Sequence, residues 1–188
     1  VDFLKLCFDE GIFADANFTL DSDGTTPLHK AAYSSQIEVI KLLADANKGK
    51  ADANAQTKRG TTPLMMTKDV DVAKMLISEC KADPNVVNLS SKGAIHLAAY
   101  AGNVELVKLL TEGGCDVHRK DISGRTALHM AAITGSYEVC EFLLDFYSEE
   151  EVQSTDSDGV TPLTYASMKN FHDIRRLFEV KLRASSRK

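Results

Sequence analysis

Gly24-Thr25-Thr26-Pro27-Leu28-His29-Lys30-Ala31-Ala32 reads as a turn that runs straight into a capped helix. Thr26 is a good N-cap, its hydroxyl placed to accept an orphan amide of the first turn. Pro27 follows at the first helical position, where its missing N–H costs nothing and its fixed φ suits the helix. Leu28 opens the apolar face, and the small Ala31-Ala32 pair leaves room for another helix to come close.

The segment recurs. Leu28, Leu64, Ile95, Leu128 and Leu163 stand 36, 31, 33 and 35 residues apart, and a period near ~33 residues marks a stack of supersecondary units, none able to bury its apolar face alone. Thr62-Pro63-Leu64-Met65, Thr126-Ala127-Leu128-His129 and Thr161-Pro162-Leu163-Thr164 repeat the opening pattern. Gly93-Ala94-Ile95-His96 is a weaker copy, but Leu97-Ala98-Ala99 follows where Ala31-Ala32 predicts.

These residues resemble the ankyrin repeat, whose Thr-Pro-Leu-His-x-Ala signature stands intact at Thr26 to Ala31. The resemblance covers nearly the whole chain. It implies an all-α ankyrin-repeat solenoid of helix-turn-helix units joined by β-hairpin loops. The expected organisation is a partial repeat over 1–20, repeats over about 21–56, 57–87, 88–120, 121–155 and 156–182, and a disordered basic tail over 183–188.

Residues 1–8 (VDFLKLCF) look like the second helix of a repeat whose first is missing, which fits a fragment of a longer protein. In the first full repeat Ile37, Val39, Ile40, Leu42 and Leu43 make a wide apolar stripe, as expected of a helix packed on both sides. Residues 47–50 lengthen the loop that follows. The second repeat is irregular: Thr67-Lys68 replaces the alanine pair and Asp69 alone stands where the first has 33–36, predicting an inner helix about one turn short. In the fifth repeat, two columns that run apolar or aromatic through the earlier copies, Ile37 to Tyr137 and Ile40 to Cys140, end in His172 and Arg175. Terminal repeats need such a polar outer face.

Composition narrows the chemistry. The net charge of −5 hides an acidic body, because seven Lys/Arg against two acidic residues lie from Lys169 onward. An acidic body argues against nucleic-acid binding across the array, and the basic end reads as a solvated cap and tail. No apolar run approaches the ~18 residues of a membrane span. Cys7, Cys80, Cys115 and Cys140 form no Cys-x-x-Cys pair, which reads as reduced thiols in a cytoplasmic or nuclear protein. His29, His96 and His129 share one repeat position and would stand about 10 Å apart, the spacing of packed helices, too far to share a metal ion. The resemblance implies instead that they bond to backbone of the hairpins. No nucleophile–base pairing and no phosphate-cradling glycine loop is legible, so no catalysis and no cofactor or metal are expected.

If the resemblance holds, a partner protein lies against the hairpin tips and the exposed face of each inner helix. Those positions include Asp23, Thr25, Arg59, Thr61, Lys92, Arg125 and Val160 on the hairpins. Tyr33, Ser34, Tyr100, Ile133, Met168 and Lys169 stand at the inner-helix ends. Tyr33, Tyr100, Ile133 and Met168 are large where packing does not demand size, and tyrosine is a favoured hot-spot residue. Arg59, Lys92 and Arg125 fall on successive tips, which points to a partner segment with acidic and apolar residues. The expected function is protein–protein recognition by a monomer, as adaptor or stoichiometric regulator. The alternative is a recruiting domain of a larger enzyme such as a kinase, a ubiquitin ligase component or an acyltransferase.

Overall fold

A computed structural model describes residues 16–45 and 51–185, with side chains through Arg183. The helix expected at 1–8, the loop insertion at 47–50 and residues 186–188 lie outside the described residues. Eleven helices and no strand occur among the described residues. The chain divides into two compact units, 1–89 and 90–188.

In the first unit α1 (Pro27–Tyr33) packs on α2 (Ile37–Ala44) and on α3 (Pro63–Met66), and α3 packs on α4 (Val70–Ser78). Its core is built from Leu28, Ile40, Leu43, Leu64, Val72 and Leu76, all buried. Each such side chain contributes about 1.5–3 kcal/mol on burial. Ala31 and Ala32 are buried between helices, as their size predicts. In α3 the expected shortening is present: four residues against seven in α1. Asp69 turns the loss into a cap, its carboxylate accepting the Asp71 and Val72 N–H groups at 2.9 and 3.3 Å at the start of α4.

The second unit holds α5 (Ala94–Tyr100), α6 (Val104–Glu112), α7 (Ala127–Thr134), α8 (Tyr137–Leu144), α9 (Glu149–Val152), α10 (Pro162–Met168) and α11 (His172–Ser185). The inner helices pack in sequence, α5 on α7 and α7 on α10, while α6 packs on α8 and α8 on α11. Ile95, Leu110, Leu128, Leu143, Ile174 and Phe178 fill the core. The acidic run Glu149 to Glu151 opens α9. Ser148 and Glu151 cap it reciprocally at 3.3 and 2.9 Å, and the buried Tyr147 donates its hydroxyl to the Val117 carbonyl. Helix α11 continues through Ser185, three residues into the stretch read as a disordered tail. Glu179 supports that extension by pairing with Arg175 and Arg183 one turn to either side.

The loops between repeats are hairpin turns with no strand among the described residues, and four of them are organised by the side chain seven residues before the aligned leucine. Asp21 Oδ1 accepts the N–H groups of Asp23 and Thr25, both at 3.0 Å. Thr57, Asp121 and Asp156 do the same for their own turns. The left-handed residue of the turn is Gly24, Gly60, Gly124 or Gly159, and Ser91 takes that conformation with φ 56°.

Candidate functional site

The histidines define what the constant residues do. His29 Nε2 donates to the Thr61 carbonyl of the next repeat at 2.9 Å. That assignment leaves Nδ1 as the acceptor. It takes the Thr26 N–H at 3.2 Å and lies 2.8 Å from Thr26 Oγ1. The imidazole therefore adds an acceptor for the cap residue's own N–H, a donor distinct from the first-turn amides that the sequence assigns to the threonine hydroxyl. The simple threonine cap appears in the fifth repeat, where Thr164 replaces histidine and its N–H reaches Thr161 Oγ1 at 3.1 Å. His96 accepts from Gly93 N–H and donates to the carbonyls of Arg119 and Arg125 at 3.0 and 3.2 Å. His129 repeats the cap, but its Nε2 faces the carbonyls of Ser154 and Val160 without closing a bond of standard geometry. Burial pushes all three imidazoles below their ordinary pKa of 6.5, which favours the neutral ring, and His29 and His96 use it to bridge to carbonyls of the following turn. Among the described residues no group of three or more His, Cys, Asp or Glu side chains gathers as metal ligands would.

Within the first unit, Tyr33 is 71 % exposed and Ser34 and Arg59 lie open beside solvent. Asp23 is half-buried, its carbonyl accepting Lys58 N–H at 2.7 Å. Thr61 is half-buried on the His29 bridge. Thr25 differs from the expectation. It is only 6 % exposed, its backbone closing the turn on Asp21 and Leu20, so it supports the tip instead of facing a partner.

Within the second unit four of the predicted residues come together. Lys92, Tyr100, Arg125 and Ile133 line one cleft of about 440 Å³ together with the buried His96, and with Leu97 and Met130, which no sequence feature marks as surface residues. Tyr100 is 57 % exposed and Ile133 half-buried. Beneath the basic rim sits Asp121, its side chain 0 % exposed, 3.3 Å from Arg125 Nη2 and 3.9 Å from Lys92 Nζ. Ser123 Oγ holds the same guanidinium nitrogen at 3.2 Å. The two cations remain 29 and 27 % exposed. Solvent therefore meets the positive charges and not the anion that orders them. Met168 (68 % exposed) and Lys169 lie at the end of α10, outside this cleft, and Val160 is half-buried in the turn of Asp156.

The turn of Asp156 is built differently. Burial alone would raise its carboxyl pKa, but the Tyr165 hydroxyl at 2.6 Å and the Val160 and Asp158 N–H groups outweigh burial and hold it low. A phenol thus stands where the preceding turn has two cations. Leu89 and Ile122, second residues of their turns, are 74 and 71 % exposed. No repeat position marks them, because the equivalent residues are Ser22, Lys58 and Ser157. A larger cleft of about 500 Å³ between α8 and α11 is lined by Tyr137, Leu177 and Val180 with Asp173 and Arg176, one charge of each sign.

A family model described as ankyrin repeats (3 copies) matches residues 1–88, 66–156 and 95–184. The neurogenic locus notch homolog protein 1 of Danio rerio is 37% identical over 105 residues, covering 55% of this chain and 4% of that protein. The neurogenic locus notch homolog protein 2 of Homo sapiens is 35% identical over 117 residues, covering 61% of this chain and 4% of that protein. Alpha-latrocrustotoxin-Lt1a of Latrodectus tredecimguttatus is 32% identical over 105 residues, covering 54% of this chain and 7% of the toxin. The chain therefore aligns to only about 4% of the length of the first relatives it matches. No helix among the described residues is long and apolar enough to cross a membrane. Family models spanning the repeats, together with the capped inner helices and histidine bridges, establish that the chain belongs to the ankyrin-repeat family, whose members are generally non-catalytic protein–protein interaction modules.

Proposed function

We propose that this chain recognises a partner protein through its inner-helix ends and hairpin tips, acting as an adaptor or a stoichiometric regulator. The observation that carries the reading is the cleft at Lys92, Tyr100, Arg125 and Ile133, where side chains not required by the repeat converge on an exposed surface. Residues that the fold requires, such as Leu28 and Leu128, are fully buried and unavailable to a partner. The partner segment carries acidic and apolar residues, matching a basic rim and a wall containing tyrosine and isoleucine. Tyr33 and Arg59 in the first unit, and Met168 and Lys169 on α10, are further contact positions of the same kind.

The test is an affinity pull-down read by mass spectrometry with the intact chain and with a Tyr100→Ala/Arg125→Glu double variant. A specific partner retained by the intact chain and lost by the folded double variant supports the reading. Equal retention by both would place the contact surface elsewhere.

A further inference from the structure

The cleft allows a sharper statement, which rests on the proposed function above. From its charge and size, we infer that the Lys92–Arg125 cleft takes one apolar side chain of an extended partner segment together with a carboxylate of an Asp or Glu next to it or two residues away.

Three observations set that chemistry. First, Arg125 is pre-ordered: Nε lies 3.3 Å from Asp121 Oδ2 and Nη2 bonds to Ser123 Oγ at 3.2 Å. Guanidinium has five N–H donors, so an incoming carboxylate meets a fixed fork and not a mobile chain. Charge-assisted bonds of this type are the strong ones.

Second, two cations above one buried anion leave a formal charge of +1 at the rim. That balances a carboxylate. A phosphate, near −2 at neutral pH, would be left facing Asp121 without compensation, so the rim favours Asp or Glu over a phosphorylated residue. The chain as a whole carries −5. Acidic partners are therefore not drawn to it generally, and the local rim has to supply the attraction.

Third, a cleft of about 440 Å³ lies at the small end of ligand-sized sites, roughly 300–1,000 Å³. It admits a side chain or two and excludes a folded element. A volume of that size is roughly 8 Å across, and an extended chain advances about 3.3 Å per residue. The anchor and the carboxylate must then be separated by one or two residue steps. Tyr100, Leu97 and Ile133 supply the apolar contact over the buried Met130, with the tyrosine ring the most open of the three.

The probe is a random dodecapeptide library on phage, selected against the whole chain, with enriched sequences resynthesised carrying fluorescein and measured by anisotropy. The expected result is enrichment of Asp or Glu one or two residues from Leu, Ile, Met or Phe, with affinity weakened about tenfold or more by Arg125→Gln. Tyr100→Ala should weaken it comparably. Neither substitution removes a backbone group of the fold, and Lys92→Gln provides a second test of the rim, with thermal melts verifying folding. Enrichment of basic peptides, tighter binding of the same peptide with phosphoserine in place of Glu, or affinity unchanged within twofold in all three variants would overturn the inference. Peptides that bind but respond only to Tyr33→Ala or Met168→Ala would remove this cleft and leave the interaction-module reading standing. No enrichment would overturn the inference, and a pull-down that also captures no specific partner would take the broader reading with it.

Discussion

The buried imidazole of His96 spans two repeats, with Nε2 3.2 Å from the carbonyl oxygen of Arg125, a residue whose side chain lines the candidate cleft. One residue thus ties the structural bridge to the binding surface. His96→Ala removes the donor to two carbonyls and the acceptor of the Gly93 N–H. We expect a loss of roughly 2–4 kcal/mol, from the cost of leaving buried polar groups unpaired. His129→Ala should cost less, because its Nε2 closes no bond of standard geometry. Urea denaturation of both variants checks the order, and equal losses would mean that the carbonyl bonds contribute nothing.

The same imidazoles make stability pH-dependent. Burial holds each below 6.5, so the unfolded chain binds protons in a range where the folded chain does not. Stability is full above about pH 6.5 and falls as the pH drops below it, by up to about 1.4 kcal/mol per pH unit for each histidine, until the folded imidazole itself titrates. In the native state Nδ1 accepts an N–H, and protonation would set one donor against another. Urea midpoints at pH 7.5, 6.5 and 5.5 should decline, with a shallower slope in His96→Gln.

Turn geometry separates two glycines. Gly159→Ala meets nothing within 4 Å and incurs only the cost of its positive φ, about 1 kcal/mol. A Cβ at Gly60 would stand 2.9 Å from Asn88 Cα, so Gly60→Ala should cost at least about twice as much. Ser91 holds a left-handed conformation with a side chain, and Ser91→Gly should stabilise by up to about 1 kcal/mol. Thermal melts of the three variants test the series.

Tyr147 anchors the short connection between α8 and α9. Its buried hydroxyl donates to the Val117 carbonyl, and burial pushes its pKa far up. Tyr147→Phe keeps the ring and leaves the carbonyl unsatisfied, an expected loss of about 1–2 kcal/mol. A variant with an unchanged urea midpoint would show that water replaces the hydroxyl at no cost.

Cys80, Cys115 and Cys140 are buried thiols outside any disulfide, and burial pushes the Cys140 thiol up to about 12. Since the thiolate is the reactive form, all three should resist iodoacetamide in the folded chain and react in denaturant. Peptide mapping by mass spectrometry distinguishes the sites.

The sequence by itself determined the repeat, its register and its core. Leucines such as Leu28 and Leu128, the alanine pairs and the cap positions recur at helical spacing, and local propensity and tertiary burial agree on them. The shortened α3 was equally legible, because three missing residues remove a turn whatever surrounds them. Other features depended on neighbours far along the chain. Thr25 became buried because its turn closes over it. His29 and His129 added a second acceptor at caps assigned to threonine hydroxyls, because their rings fold back onto the N–H of the cap residue. Lys92 and Arg125 became one rim because the carboxylate of Asp121 lies beneath both, and Met130 entered the cleft from a helix whose apolar residues look alike in one dimension. Periodicity records which residues must be buried. Which of the remaining side chains meet, and which charge faces water, depends on distances across repeats that no single repeat encodes.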